Sequence, residues 1–388
     1  MIAPARRTGS ARTTLWVCAA LYLPFVFLGY GADVDTYTAI AAGERVLDGE
    51  AYRPSRPPGF FLHELGSALL SRLGGSLLTN GATAAAALLA IACFLDLARR
   101  RSIPHRRLLA LLLAAHPYFW IAATSTIDDA WAIAGLLLGL ALLDRDRPVS
   151  AGLAWGLAAG FRLSALPVGA AILVGWSSCG RSRRAAAGLI ASAVAAACYV
   201  PSFVHAGHTL GFLYVAAGPR ELWTLAGHAG RFVFKNVSLF LGLPATVFVL
   251  CVLPFTLRAL GRAWGGGWKP ILAPSLLALA ASELLFLRYP LHPSHLLPGL
   301  PFLLLVLGIA WRDRRRWLIA AGSLILSTNF LVILLARPDV PNRATRAHFG
   351  LWVERGALVR DLQLRLELRT ARSVADWQRV VQGGPAPP

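Results

Sequence analysis

The chain is short of charge and short of lysine. Only 15% of its 388 residues are Asp, Glu, Lys or Arg, against about 25% in a soluble globular domain. That shortage excludes an ordinary soluble enzyme, a disordered chain and a coiled coil. Lysine occurs only at Lys235 and Lys269, so the basic charge is almost all arginine. The five cysteines include no CxxC spacing and lie within or beside apolar stretches, which fits neither a disulfide framework nor a zinc site. No Gly-rich phosphate loop stands in the basic segments, so a nucleotide-sugar site is not expected. No cleavable leader is evident. Arg6, Arg7 and Arg12 precede 15-LWVCAALYLPFVFLGYGA-32, which reads as a retained first span.

Apolar residues make up 56% of the chain, and the mean hydropathy is +0.58. A span takes about 20 apolar residues. Apolar runs bounded by charges fall near 14–32, 80–98, 108–125, 130–143, 149–161, 163–177, 185–204, 236–257, 270–287, 295–311 and 317–336. The expected fold is therefore an all-α polytopic membrane protein, a bundle of about eleven transmembrane helices. The runs at 149–161 and 163–177 are short, and one kinked helix over 149–176 is the alternative. Charge decides between them. With a hairpin there and the N-terminus inside, the cytoplasmic segments hold 20 Arg and Lys and the outer segments before the tail hold 9. A single helix would turn 181-RSRR-184 and 312-RDRRR-316 outward, against the positive-inside rule. The net charge of +19 thus reads as loop arginine rather than as a nucleic-acid surface.

The expected organisation is a membrane domain over 1–336, with long outer segments at 33–79 and 205–235, and a tail over 337–388 that falls outside. The tail carries nine arginines, and its run 361-DLQLRLELR-369 alternates with period two, as a strand or a surface-lying segment does. The 205–235 segment, with Arg220, Glu221, Arg231 and Lys235 among aromatics, is long enough to form a lid. In 33–79, Asp33 and Asp35 follow the first span, the AAGERVLDG stretch reads as an amphipathic helix ending at Gly49, 54-PSRPPG-59 is a rigid turn, and 60-FFLHELGSALLSRLGG-75 reads as an interfacial helix. Carboxylates at the membrane surface beside two surface helices suit a site open to both water and lipid. The alternative for Asp33 and Asp35 is a helix N-cap or a solvated loop.

This segment resembles the first extracytoplasmic loop of the GT-C glycosyltransferases. These are integral membrane enzymes that take sugar from a polyprenyl-phosphate donor, and they include protein O-mannosyltransferases, lipid A aminoarabinose transferases and mycobacterial phosphatidylinositol-mannoside mannosyltransferases. The residues that carry the likeness are Asp33, Tyr37, Ala41-Ala42, Gly49 to Tyr52, and Arg56-Pro57-Pro58. Val34 stands where many members have an acidic residue, and Arg56 where Lys or His is frequent. The likeness extends diffusely to 152-GLAWGLAAGFRLSALP-167 and 282-SELLFLRYPLHPSHLLPGLP-301.

The resemblance implies an inverting sugar transfer to a lipid, glycan or protein acceptor, in a multi-pass inner- or plasma-membrane protein with its site on the extracytoplasmic side. It makes Asp33 the base that takes the acceptor proton, with Asp35 second. A DxD pair also offers oxygen donors to a divalent cation such as Mg²⁺ or Mn²⁺, but two carboxylates alone do not define a metal site. The donor phosphate would be held by Arg56, Arg162, Arg288, His292 and His295. Each has a plainer reading: surface charge for Arg56, snorkelling for Arg162, an interface anchor for Arg288, and loop or cap residues for His292 and His295. Asp128, Asp129 and Glu283 are secondary acidic candidates. Ser125 to Asp128 and Thr126 to Asp129 also have capping-box spacing, and Glu283 also reads as the partner of an intramembrane arginine. His63-Glu64 reads as a metal pair or as the polar face of an interfacial helix, and His116-Pro117 as a kink. Two other function classes fit the layout: a flippase for a lipid-linked saccharide, and a non-catalytic assembly partner.

Overall fold

A computed structural model describes residues 9–213, 225–340 and 343–382. The apolar runs fold as helices, because in a bilayer a helix pairs its backbone groups within itself. In chain order these are α1 Gly9–Val26, α2 Val34–Leu47, α3 Phe61–Arg100, α4 Arg106–Ala115, α5 Pro117–Thr124, α6 Asp129–Asp144, α7 Pro148–Phe161, α8 Ala165–Gly175 and α9 Arg181–His205. After the undescribed residues 214–224 come α10 Leu225–Phe234, a π-helical turn Lys235–Phe240, α11 Leu243–Ala263, α12 Lys269–Arg288, a 3-10 turn Pro293–Gly299, α13 Leu300–Ala310 and α14 Arg315–Ser327. The tail forms an antiparallel hairpin, β1 Leu331–Val340 with β2 Arg343–Arg355, then α15 Ala357–Glu367 and α16 Val374–Val381.

Phe61–Arg100, Arg181–His205, Leu243–Arg288 and Pro293–Ala310 are long and apolar enough to cross a membrane, and α4 with α5, bent by 67°, makes a fifth such stretch. The protein is an all-α polytopic membrane protein. Its outer faces agree: Leu189 and Val200 on α9, Leu250, Phe255 and Leu257 on α11, and Leu284 on α12 are all exposed, an apolar girdle that a water-soluble surface does not carry.

Two breaks interrupt the apolar helices. α3 has non-helical dihedrals at Gly74 and Gly75, the latter with φ +60°. The interfacial helix expected over 60–75 therefore ends where its sequence does, and a span continues to Arg100. At His116-Pro117 the chain turns between α4 and α5, and His116 Nε2 lies 3.1 Å from the Phe240 carbonyl oxygen.

Inside, α7 packs on α6 and α9. Gly152, Gly156 and Gly160 recur every fourth residue on α7. A Cβ there would meet the Ala187 carbonyl oxygen at 2.6 Å, Val194 Cβ at 2.5 Å and Cys198 Sγ at 2.6 Å. Small residues at this spacing let helix backbones approach closely in a membrane. The contact fixes the end of α7, where Arg162 follows.

Two expectations change. The last apolar run does not stay helical to 336: α14 stops at Ser327 and the β-branched stretch from Leu331 enters β1. The run 361–369 is not a strand. Leu358, Asp361, Arg365 and Leu368 are buried, a helical stripe hidden beneath the alternating leucines. The tail also packs against the segment that follows α1. α16 packs on α2, and Trp377 Nε1 donates to the Ala32 carbonyl oxygen at 2.9 Å.

Candidate active site

The two early aspartates part company at the start of α2. Asp33 is extended (φ −83°, ψ 136°) and its exposed Oδ1 accepts from the Asp35 backbone N–H at 3.0 Å. It is a helix N-cap, the alternative weighed above. Asp35, in the first turn, places Oδ2 3.2 Å from Arg56 Nη1.

From Arg56 an ion-pair chain runs inward. Its Nη2 lies 3.1 Å from Asp128 Oδ1. Arg162 Nη1 lies 3.1 Å from the same oxygen and 2.9 Å from Asp129 Oδ1. Asp128 and Asp129 are 1% and 3% exposed, Arg162 12%, and Asp35 41%. The chain therefore runs from a buried end at α6 and α7 to a half-open end at α2. Five sequence candidates meet here: Asp35, Arg56, Asp128, Asp129 and Arg162. Asp128 is the N-cap residue of α6, yet its side chain makes no capping bond, so the capping-box reading of 125–129 is set aside. Both guanidinium groups take its Oδ1 instead, and its Oδ2 is buried without a hydrogen-bond donor among the described residues.

Burial acts to raise the Asp35 carboxyl, Arg56 works against it, and Asp33 and Asp128 add to the rise; the net effect is upward. For Asp128 burial again acts upward, but Arg162 and Arg56 outweigh it and hold the carboxyl down at about 2. One carboxylate is thus firmly ionised, and the other is closer to taking up a proton.

The histidines approach from the far wall. His292 is close enough to Lys235, Arg162 and Asp35 to feel their charges, and His295 is similarly close to Arg162 and Asp128. His292 Nδ1 accepts from the Ser294 backbone N–H, and His295 stacks on Tyr289. Arg288 closes α12 with an exposed side chain. Glu283 does not pair with an intramembrane arginine as its spacing suggested; it accepts from Asn236 Nδ2 at 3.0 Å. His63 and Glu64 point inward as scaffold. Glu64 accepts from Tyr52 Oη at 2.5 Å and from Ser55 Oγ at 2.6 Å, holding the Pro turn, and His63 lies 3.3 Å from Ser67 Oγ. Of the lid candidates, Arg220 and Glu221 lie outside the described residues. Arg231 and Lys235 are buried, and Lys235 Nζ donates to the Leu291 carbonyl oxygen.

No family profile and no curated protein matches this chain. Among solved structures it resembles ArnT, a GT-C aminoarabinose transferase, from Cupriavidus metallidurans in the apo state. The identity is 17%, the TM-score 0.54, and the match covers 83% of this chain and 63% of that one. The chain has the GT-C fold. A second ArnT structure, bound to undecaprenyl phosphate, matches at 17% identity and TM-score 0.48 over 79% of this chain and 60% of that one. The chain thus spans less than two thirds of the length of the structures it resembles.

Within this GT-C fold no group of three or more His, Cys, Asp or Glu among the described residues is arranged to hold a metal ion. Asp33 and Asp35 do not converge on one point: the first accepts a backbone N–H and the second faces a guanidinium. Sequence reasoning passed over two residues beside the site. Lys235 was read as part of a lid segment rather than as a site residue, and Arg365 lay in a tail whose leucine alternation concealed its helix.

Proposed function

We propose that the protein is a membrane glycosyltransferase that moves a sugar from a polyprenyl-phosphate donor to a hydroxyl acceptor at the outer face of the cell membrane, with Asp35 as general base. The observation that carries this reading is the ion-pair chain from Asp35 through Arg56 and Asp128 to Arg162 and Asp129, set at the ends of apolar helices in a GT-C fold. A carboxylate whose hold on a proton is strengthened by burial is suited to take one. Asp35 would accept the hydroxyl proton as the acceptor oxygen bonds to the sugar's anomeric carbon. The bond from that carbon to the phosphate oxygen breaks on the opposite face, so configuration inverts. The electron pair leaves on the polyprenyl phosphate, whose charge Arg162, Lys235 and Arg288 would offset, with the histidine pair offering hydrogen bonds. Asp33 then has the capping task alone. The reading needs no metal. The acceptor class is a lipid, glycan or protein with a free hydroxyl.

The test uses the purified protein in proteoliposomes with a radiolabelled polyprenyl-phosphate sugar and washed membranes as the acceptor source. Asp35→Asn should abolish transfer while the unfolding midpoint stays near wild type. Wild-type transfer by Asp35→Asn would overturn the assignment, and carrier translocation without transfer would point to a flippase.

A further inference from the structure

The tail and the carboxylate turn meet at one residue. Arg365 on α15 is 0% exposed. Its guanidinium donates to the carbonyl oxygens of Thr124 (2.8 Å), Ile121 (3.3 Å) and Phe25 (3.4 Å) and to Ser125 Oγ. Asp361, one turn earlier, supplies its counter-charge at 2.7 Å. Ile121 and Thr124 belong to the last turn of α5, and Phe25 to the last turn of α1. Helix C-termini leave carbonyls without intrahelical partners and carry partial negative charge. One planar, five-donor guanidinium serves two such ends at once, which a lysine ammonium cannot do with the same geometry.

These acceptors stand at the head of a short turn. Ser125 ends α5, and Asp128 stands three residues later at the head of α6. The turn is also pinned at its middle. The Thr126 backbone N–H donates to the Tyr30 carbonyl oxygen at 2.8 Å, and Thr126 Oγ1 donates to Thr79 Oγ1 and Asn80 Oδ1. What the turn delivers is the pair of carboxylates that hold Arg56 and Arg162. Attaching the tail does not require Arg365, because Trp377 bonds to Ala32 and Leu368 packs with Tyr37.

We infer that Arg365 is a positioning residue for sugar transfer: it fixes the 124–129 turn, and through Asp128 it fixes Arg56 beside Asp35. The inference rests on the assignment of Asp35 as base. Arg365 itself touches no reacting atom.

The experiment compares Arg365→Lys with wild type in proteoliposomes, measuring kcat and KM for the donor, the pH profile of kcat and the fraction of folded protein. The groups facing Asp35 are Asp33 at its own helix start, Arg56 from the Pro turn, Asp128, Arg162 and Tyr289 from the bundle, and His292 from the 3-10 turn. A loosened turn lets Arg56 drift from Asp35. Expected are a kcat lower by about tenfold, as small misplacements produce, a donor KM within about twofold of wild type, and an acid limb moved to higher pH. Should Arg365→Lys not fold, Ser125→Ala removes one acceptor without stranding a charge and should move the same two readouts less far. A lower folded fraction with wild-type kcat per folded molecule and a wild-type pH profile would reduce Arg365 to a structural tie and overturn the inference. Wild-type transfer by Asp35→Asn would sink the base assignment and this inference together. An inactive Asp35→Asn beside a wild-type Arg365→Lys would sink the inference alone.

Discussion

Asp33 and Asp35 stand two residues apart, and only local geometry separates their tasks. The resemblance made Asp33 the base and Asp35 second, and an extended segment turns both the same way. The helix begins between them, so one becomes the cap and the other joins the ion-pair chain. Asp33→Ser keeps a capping oxygen and should retain both stability and transfer, whereas Asp35→Ser should lose transfer. Parallel turnover measurements with unfolding midpoints check this pair. The pH dependence follows from the raised Asp35 carboxyl. The base must be ionised, so kcat should fall as pH drops through that raised value. Arg56→Gln removes the charge that opposes the rise, and the acid limb should then move to still higher pH; a limb that moves lower, or not at all, argues against Asp35 as the titrating group. Arg162→Leu should be harsher. It strands Asp129 and leaves Asp128 with Arg56 alone, both carboxylates being nearly fully buried, and removing one partner of a buried ion pair costs about 3–5 kcal/mol. Denaturant or thermal unfolding would register that loss beside the loss of transfer. Arg56, Arg162, Asp128 and Asp129 were each legible as candidates because arginine and aspartate are rare among so many apolar neighbours. Their connection was not legible, since it joins the first outer segment to two distant span ends.

Among the elements, those with one dominant period read correctly and those with two did not. α2 and the first part of α3 were legible because Gly49 and Gly74-Gly75 punctuate them, and the bend at His116-Pro117 because proline cannot continue the hydrogen-bond ladder. α15 was left open between a strand and a surface-lying segment because its leucines at 362, 364, 366 and 368 alternate, while the residues it buries, 358, 361, 365 and 368, follow the helix. The end of α14 was misread because an apolar β-branched run satisfies a hydropathy window in either conformation. α7 held a signal that went unused: glycines at every fourth position, now seen against α9. Gly156→Val tests that contact. Its Cβ would stand 2.5 Å from Val194 Cβ and 2.9 Å from the Ala191 carbonyl oxygen, so α7 must shift or the helices must part. Overpacking of this kind costs about 1–3 kcal/mol. Because Arg162 follows α7 directly, transfer should fall by more than the loss of folded protein explains. Gly180→Val, where a Cβ meets open space, is the matched control and should leave both readouts near wild type.

At the scale of the whole molecule, the tail and the first outer segment form one surface. Tyr37 of α2 packs with Leu368, Ala371 and Val380, and Arg365 reaches beneath them to the ends of α1 and α5. The basic runs at 99–107, 181–184 and 312–316 instead sit at the opposite helix ends, where the positive-inside rule places the cytoplasm. The nine tail arginines seemed to oppose an outer position. The rule weakens for long segments, and one of the nine, Arg365, is taken up by helix-end carbonyls rather than left to a membrane surface. Topology can therefore be read from three single cysteines in a background with the native thiols replaced. Glu50→Cys reports the first outer segment, Arg379→Cys reports α16, and Arg183→Cys reports the first turn of α9; all three positions are exposed. A membrane-impermeant thiol reagent applied to intact cells should label the first two equally and the third only after permeabilisation. Labelling of Arg379→Cys together with Arg183→Cys would separate the tail from Asp35 by a full membrane thickness. The packing of α16 on α2, and with it any role for Arg365 at the transfer site, would then be ruled out.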